Sequence, residues 1–251
     1  MAQCQPVQKD AAPVFFGHTP VEKLAVAIET EDTVKIEFLV HQEKMNINYQ
    51  EPVKGTDLLS FAVGINKTAS IKKLLILGAN PNLRNPIDNW TPFLLACDQI
   101  GSIEDPYGVL SLMVHYGADV NSERVYEPII SPGGVKHVLH GSCLQYLVLV
   151  APVECVKLLV DNGARLDIYP KNGEKSIFFR ALINPGLDIV HYFLIDKKVP
   201  VPDYCVIRYE KTNHPKKITI RQLLKERATR KDQYQMKLEK EILDFLAVHG
   251  Q

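Results

Sequence analysis

The chain has no run of 18 apolar residues, and its first sixteen, MAQCQPVQKDAAPVFF, lack the apolar stretch of a secretory leader. No helix is therefore expected to span a membrane. An excess of one charge is missing as well. Its 29 basic side chains face 29 acidic ones, which removes any global pull toward nucleic acid or an anionic lipid surface. Cysteine is sparse and poorly spaced for chemistry. Cys4, Cys97, Cys143, Cys155 and Cys205 are odd in number, and no two stand at the short spacing of a zinc or redox motif. Cys97, Cys143 and Cys155 fall inside expected helices and read as small buried hydrophobes of a reducing compartment. That favours the cytoplasm; with a leader removed before Met1 the chain would be exported and Cys4 would be a processed cysteine.

Catalytic signatures are also absent. The sequence contains no G-x-S-x-G, H-E-x-x-H, G-x-G-x-x-G or Cys-His pattern. Ser70-Ile71-Lys72-Lys73 fits S-x-x-K but sits where a helix starts. Ser131 to Lys136 lacks the strand-loop-helix order and the Gly-Lys-Ser/Thr ending of a phosphate loop. His137 and His140 are the only close histidines, and no third ligand follows at zinc spacing. Catalytic residues, metal ligands and cofactors are accordingly expected to be none.

What is present is a repeated unit. Leu74 to Cys97 reads LLILGANPNLRNPIDNWTPFLLAC. An apolar helix ends at Gly78, a residue that enters the left-handed conformation without steric penalty. A connector dense in Asn, Pro and Asp follows. Thr91 then caps a new helix with Pro92 at its first position and Phe93 to Ala96 as its apolar body. Gly78-Ala79-Asn80-Pro81-Asn82 returns as Gly117-Ala118-Asp119-Val120-Asn121 and again from Gly163. Asn48 to Asn82 is 34 residues, Asn82 to Asn121 is 39, and Asn121 to Asp167 is 46.

Thr91-Pro92-Phe93-Leu94-Leu95-Ala96 and the Gly-Ala-x-x-Asn endings resemble the ankyrin repeat, whose period is about 33 residues. The resemblance covers about residues 18 to 202 and is similar to stand-alone bacterial ankyrin proteins. It implies an all-α solenoid of about five helix pairs with β-hairpin connectors and a C-terminal helical cap. Repeats are expected near 18–50, 51–85, 86–125, 139–170 and 171–202. Before them lies a loosely held arm over 1–17, with Phe15 and Phe16 pinning it. Thr19 and Pro20 open the first helix, and Asp57, Ser142 and Ser176 take the capping place of Thr91. Two surpluses interrupt the period: a linker over Asp98 to Gly108, and a finger over 122–141 that reads as a β-hairpin around Pro132-Gly133-Gly134. Residues 203–251 read as an extended connector followed by capping helices.

An array of this kind leaves a rigid groove of hairpin tips and first-helix surfaces. The resemblance therefore implies a non-enzymatic module that binds a protein partner on its concave face and hairpin tips, as a neutralising or scaffolding partner and as a monomer. Asp88, Asn89, Trp90, Tyr107, Arg124, Tyr126 and Glu127 are the candidate contacts, since tips, linker and finger depart from the repeat. Trp90, the only tryptophan, reads either as a staple for its loop or as a recognition anchor. Two alternatives are an enzyme or effector with a site in the 98–108 linker and the 122–141 finger, and nucleic-acid binding through the seven basic residues between Lys216 and Lys231. The second is disfavoured because no aromatic is interleaved there.

Overall fold

Thr91 accepts the amide hydrogen of Leu94 on its hydroxyl at 3.1 Å, and Pro92 fills the first position of the helix this starts, α6 (Pro92–Asp98). In the computed structural model, which describes residues 11–125, 129–130, 136–137, 140–166, 176–209, 215–227 and 232–249, the same device recurs. Asp32 caps α3 (Thr33–His41), Asp57 α4 (Leu58–Gly64), Asp105 α7 (Pro106–His115) and Ser142 α8 (Cys143–Val150). Ser176 caps α10 (Ile177–Ile183), Thr219 α12 (Ile220–Glu226) and Asp232 α13 (Gln233–Val248). Each side-chain oxygen satisfies one of the amides that a helix start leaves without an intrahelical acceptor.

Two expected caps are different in kind. Thr19 turns back and donates to the carbonyl of Phe16 at 2.7 Å, so α2 (Glu22–Glu29) starts without a side-chain cap. Ser70 donates instead to the carbonyl of Ile28 at 2.7 Å, and the first turn of α5 (Thr68–Ile76) is served by Glu31, which accepts from the Ala69 amide at 2.9 Å. Lys72 and Lys73 of the S-x-x-K match pair with Asp105 and Glu37.

Helix ends follow the glycines. Gly78, Gly117 and Gly163 have φ of 94°, 84° and 88°, and the amides of Ala79, Ala118 and Ala164 close on Leu74, Met113 and Leu159, all at 2.9 Å. Where Gly-Ala is missing, Lys44 (φ 56°) and Lys198 (φ 51°) take the left-handed place. The closing bond is then one residue wider, Met45 to Leu39 at 3.1 Å and Val199 to Phe193 at 2.8 Å. At the second site the extra residue appears as a π-helical turn over Tyr192–Asp196.

The chain divides into two compact units, Met1–Arg124 and Val125–Gln251. In the first, the pairs α2/α3, α4/α5 and α6/α7 stack so that first helices touch first helices and second touch second. Leu24, Ile28, Leu58, Leu59, Leu74, Phe93, Leu94 and Leu110 fill the seams and are fully or almost fully buried. Asparagines stitch the connectors at the repeat spacing. Asn48 accepts from the Asn80 amide and Asn82 from the Asp119 amide, both at 2.8 Å, while the Asn82 amide group donates to the Gly117 carbonyl at 2.8 Å. The 98–108 surplus is smaller than the sequence suggests. A 3-10 turn at Ile100–Ser102 follows α6, and Pro106, Tyr107 and Gly108 already belong to α7.

Residues 11–17 are not a loose arm. Ala11–Phe16 is a helix, α1, whose first amides, Ala11 and Ala12, donate to the carboxylate of Glu29 at 2.6 and 3.1 Å. Phe16 is fully buried, its ring edge-on to Phe61 at 5.3 Å. Burying that side chain contributes roughly 1.5–3 kcal/mol toward holding six residues that propensity alone would not.

In the second unit α8 pairs with α9 (Val153–Asp161) and α10 with α11 (Asp188–His191). Strand β1 (Glu123–Val125) spans the junction of the units, β2 (Ile129–Ile130) pairs antiparallel with β3 (Lys136–His137), and β4 (His140–Ser142) leads into α8. After α11, β5 (Val206–Tyr209) and β6 (Pro215–Ile218) form an antiparallel hairpin with Val206 opposite Ile218. The capping helices α12 and α13 then make a further pair, α12 on α10 and α13 on α11, packed like those before it. Gln235 and Tyr234 of α13 bond to the Leu187 amide and to Asp188, both at 2.8 Å, and Glu241 meets His191 at 2.7 Å. His191 thus faces a carboxylate of α13.

Candidate functional site

On the first-helix side of the first unit lies an open cleft of about 260 Å³. It is lined by Phe61, Gly64 and Ile65 from α4 and its C-terminal end, by Leu95 from α6, by Phe15 of α1 and by Trp90 of the second hairpin tip. Thr56, Ser60, Asn85 and Asp88 supply polar groups at its edge. Phe15 lies 5.7 Å from Phe61, ring to ring.

The two tips beside the cleft are held to each other. At the first, the carboxylate of Glu51 turns inward to the amides of Val53 (2.9 Å) and Lys54, and Gly55 has a left-handed φ of 68°. A Cβ on Gly55 would come within 2.6 Å of Asn85 Oδ1, so this glycine is what lets the tips meet. The Asn85 amide group donates to the Lys54 carbonyl at 2.9 Å, and Gln50 donates to the Arg84 carbonyl at 3.0 Å. The second tip closes through Asn85 N–H to Trp90 O at 2.7 Å, with Asn89 left-handed at φ 63°.

Of the residues read from the sequence, Asp88, Asn89, Trp90 and Arg124 come together. The Arg124 guanidinium lies 4.7 Å above the Trp90 ring, its Nε donates to Asp88 O at 3.1 Å, and Asp88 Oδ1 accepts from the Trp90 amide at 3.1 Å. Arg84 reaches the Asn89 carbonyl at 2.8 Å. Tyr107 is half exposed but stands at the start of α7, the opposite end of its helix pair from Trp90, roughly 10 Å along the axis at 1.5 Å per residue. Tyr126 and Glu127 lie outside the described residues, as does half of the 122–141 finger.

Phe15, Phe61, Gly64, Ile65 and Leu95 were not among those candidates. The spacing of Phe61 and Ile65, four apart on one helix, was a readable signal, because residues so spaced share a face. Phe15 was read only as one of two rings pinning the arm, since a six-residue helix is too short to show a period that would place it at a cleft. Lys54 was also missed: its ammonium sits 4.5 Å from the centre of the Phe15 ring.

Electrostatics at the site are modest. Burial raises the carboxyl of Asp57, and the hydrogen bonds from Ser60 only partly oppose it. Partial burial also raises that of Asp98, with Arg124 pulling the other way. In the second unit burial pushes the Cys205 thiol up to about 12, far from a nucleophile's range. Among the described residues no group of three His, Cys, Asp or Glu is placed to hold a metal ion, and no helix is long and apolar enough to cross a membrane.

The basic segment has structural employment. Arg227 donates to the carbonyls of Leu182 (3.3 Å), Asn184 (2.7 Å), Pro185 and Gly186 (3.3 Å), gathering the acceptors left at the end of α10. Arg221 donates to Leu243 O at 3.3 Å, and Lys217 lies 4.8 Å above Tyr204. Arg230 and Lys231 are outside the described residues.

No family model matches the chain. Among curated proteins, ankyrin repeat and SOCS box protein 6 of Mus musculus is 25% identical over 172 residues, covering 68% of this chain and 36% of its own length. The interferon antagonist OPG039 of monkeypox virus is 27% identical over 154 residues, 61% of this chain and 46% of the relative. The chain thus spans less than half the length of either. Among solved structures, an ankyrin repeat domain from Acinetobacter baumannii AYE superposes with a TM-score of 0.58 at 19% identity, covering 88% of this chain and 96% of that one. That likeness concerns the fold.

Proposed function

Since the chain is an ankyrin-repeat protein, a fold that generally mediates protein–protein interaction, we propose that it is a non-enzymatic module that seats a protein partner on the first-helix side and hairpin tips of its first unit. The observation that carries this is the cleft. Phe15, Ile65, Leu95 and Trp90, all of them half-buried, leave apolar surface open to solvent beside polar groups that fix orientation, the composition of an interface core with its rim. The tips are tied to each other through Asn85, Gln50 and Gly55, so little ordering is lost when a partner docks. Binding of this sort scaffolds or neutralises a partner without transforming it, and the chain serves as a monomer.

Capture from source cells with cross-linking at Lys54 tests the reading. A single stoichiometric protein linked to Lys54, and lost from the Trp90→Ala variant while its circular dichroism is unchanged, supports it. A partner that links only to the second unit, or turnover of a substrate abolished by one side-chain change, overturns it. Nucleic-acid binding through the basic 216–231 segment is the weaker reading, because Arg227 and Arg221 are occupied by backbone carbonyls.

A further inference from the structure

Among the residues that line the cleft, only Asp88 carries a charge. Gly64 leaves the space beside it open, since a Cβ built there meets no heavy atom within 4 Å. The carboxylate of Asp88 accepts the Trp90 amide hydrogen on Oδ1 at 3.1 Å and is exposed. Among the described residues no Lys, Arg or His lies within ion-pair distance of it. Cations do sit against two of the rings, but from outside the cleft. Lys54 is 4.5 Å from the centre of Phe15 and Arg124 is 4.7 Å from that of Trp90, and neither lines it. Arg124 acts besides on the carboxyl of Asp98. The lining itself is therefore apolar, from Ile65, Leu95 and the rings of Phe15, Phe61 and Trp90, with one negative charge.

Covering the cleft decides what fits it. A partner seated on the second tip takes water away from Asp88. An apolar or acidic group placed beside it would leave a desolvated charge without a counter-charge, which is costly. A cation pairs with the carboxylate and is attracted to the faces of the rings as well. Lysine and arginine add an aliphatic stem that lies along apolar surface while the head stays at a polar edge. A cavity of about 150 Å³ lined by apolar side chains accepts benzene, and at about 260 Å³ this cleft has room for one such side chain.

Resting on the docking reading above, we propose that the cleft takes a lysine or arginine side chain of the partner, its stem against Ile65 and Leu95 and its charge paired with Asp88. The sole tryptophan lines the cleft, so its single indole N–H resonance reports occupancy. The probes are n-butylammonium, n-butanol and n-butyrate, titrated into the full chain at constant ionic strength. The ammonium is expected to shift the Trp90 resonance saturably, with a dissociation constant on the order of 10 mM for so small a probe. Butyrate is expected to bind at least threefold more weakly. Asp88→Asn, whose side-chain oxygen can still accept the Trp90 amide hydrogen, should make ammonium and alcohol equal, and Asp88→Lys should place butyrate ahead of the ammonium. Circular dichroism checks that each variant is folded. Equal binding of ammonium and butyrate to the wild type, no saturable response to any probe, or an unchanged preference in folded Asp88→Asn overturns the subsite. The wild-type comparison decides even where a variant fails to fold. A captured partner lost from both Trp90→Ala and Asp88→Lys supports the pairing. If it is lost from Trp90→Ala but kept by Asp88→Lys, the cation subsite falls and the docking reading stands; if both variants keep it, both fall.

Discussion

The central carbon of the Arg124 guanidinium lies over Trp90, 4.7 Å from the ring centroid, while its Nε–H donates to the Asp88 carbonyl at 3.1 Å. The second hairpin tip is thus pinned from the far side by the residue that ends the repeat. Arg124→Ala should lower stability by about 1–2 kcal/mol, combining a cation–π contact with a charge-assisted bond. Arg124→Lys should restore little of it, because an ammonium cannot stack and donate sideways at once. Urea unfolding of the three proteins checks this; equal midpoints for wild type and alanine variant would show that the tip stands without the pin.

Asn82 bridges two connectors, accepting from Asp119 N–H and donating to Gly117 O, both at 2.8 Å. Asn82→Ala hands an exposed donor and acceptor to water and is expected to lower stability by about 0.5–1.5 kcal/mol. Asn82→Asp keeps the acceptor alone and should fall between. An alanine variant indistinguishable from wild type in denaturant would mean that packing, not the ladder, sets the stagger of the repeats.

Asp57 is buried with its carboxyl raised by that burial. A carboxyl whose folded pKa exceeds its unfolded value holds its proton more tightly in the folded chain, so stability on its account is lost as pH rises from about 4, the unfolded value, through the folded one, and returns on acidification. Asparagine can still accept from Ser60 N–H without the buried charge. Asp57→Asn should therefore match or exceed the wild type at pH 7 and show a flatter dependence of stability on pH above 4. Asp57→Ala, which loses the cap, should fall by about 0.5–2 kcal/mol. Thermal melts from pH 4 to 8 decide; a steeper profile in Asp57→Asn would refute the assignment.

Arg227 gathers four carbonyls at the end of α10. Arg227→Ala should destabilise the second unit by about 1–3 kcal/mol, whereas the exposed Lys225→Ala should change stability by less than about 0.5 kcal/mol. Neither should alter retention on a DNA column in a salt-dependent way. A salt-sensitive retention lost with Lys225 would restore the nucleic-acid reading.

How far the sequence carried these results depends on the reach of each signal. Asp57, Thr91, Ser142 and Ser176 were readable as caps because a short polar side chain stands just before an apolar run, and Gly78 and Gly117 as helix ends because little else takes that conformation freely. The 34- and 39-residue spacings named asparagines that do stack. Thr19 and Ser70 were misread because residue type says nothing about the direction of a hydroxyl, and both face backward to carbonyls. The helix α1 escaped notice because its order comes from Phe16 and Glu29, contacts distant in sequence. That the capping helices α12 and α13 make a further pair was not legible, because no Gly-Ala ending marks either helix. Within the candidate site, Asp88, Asn89 and Trp90 were named from the tip and Arg124 from the finger, and their meeting was not legible because Arg124 reaches Asp88 across 36 residues of sequence. Gly64 was not named, because an empty space has no residue type.

That space allows the most direct measurement: the affinity of the captured partner for the wild type, Gly64→Ala and Gly64→Leu, with unfolding midpoints taken alongside. The account predicts that Gly64→Ala binds within about threefold of wild type and is more stable by roughly 0.5–1 kcal/mol, and that Gly64→Leu folds but loses at least tenfold in affinity. A Gly64→Leu protein that folds and binds as tightly as wild type would contradict it.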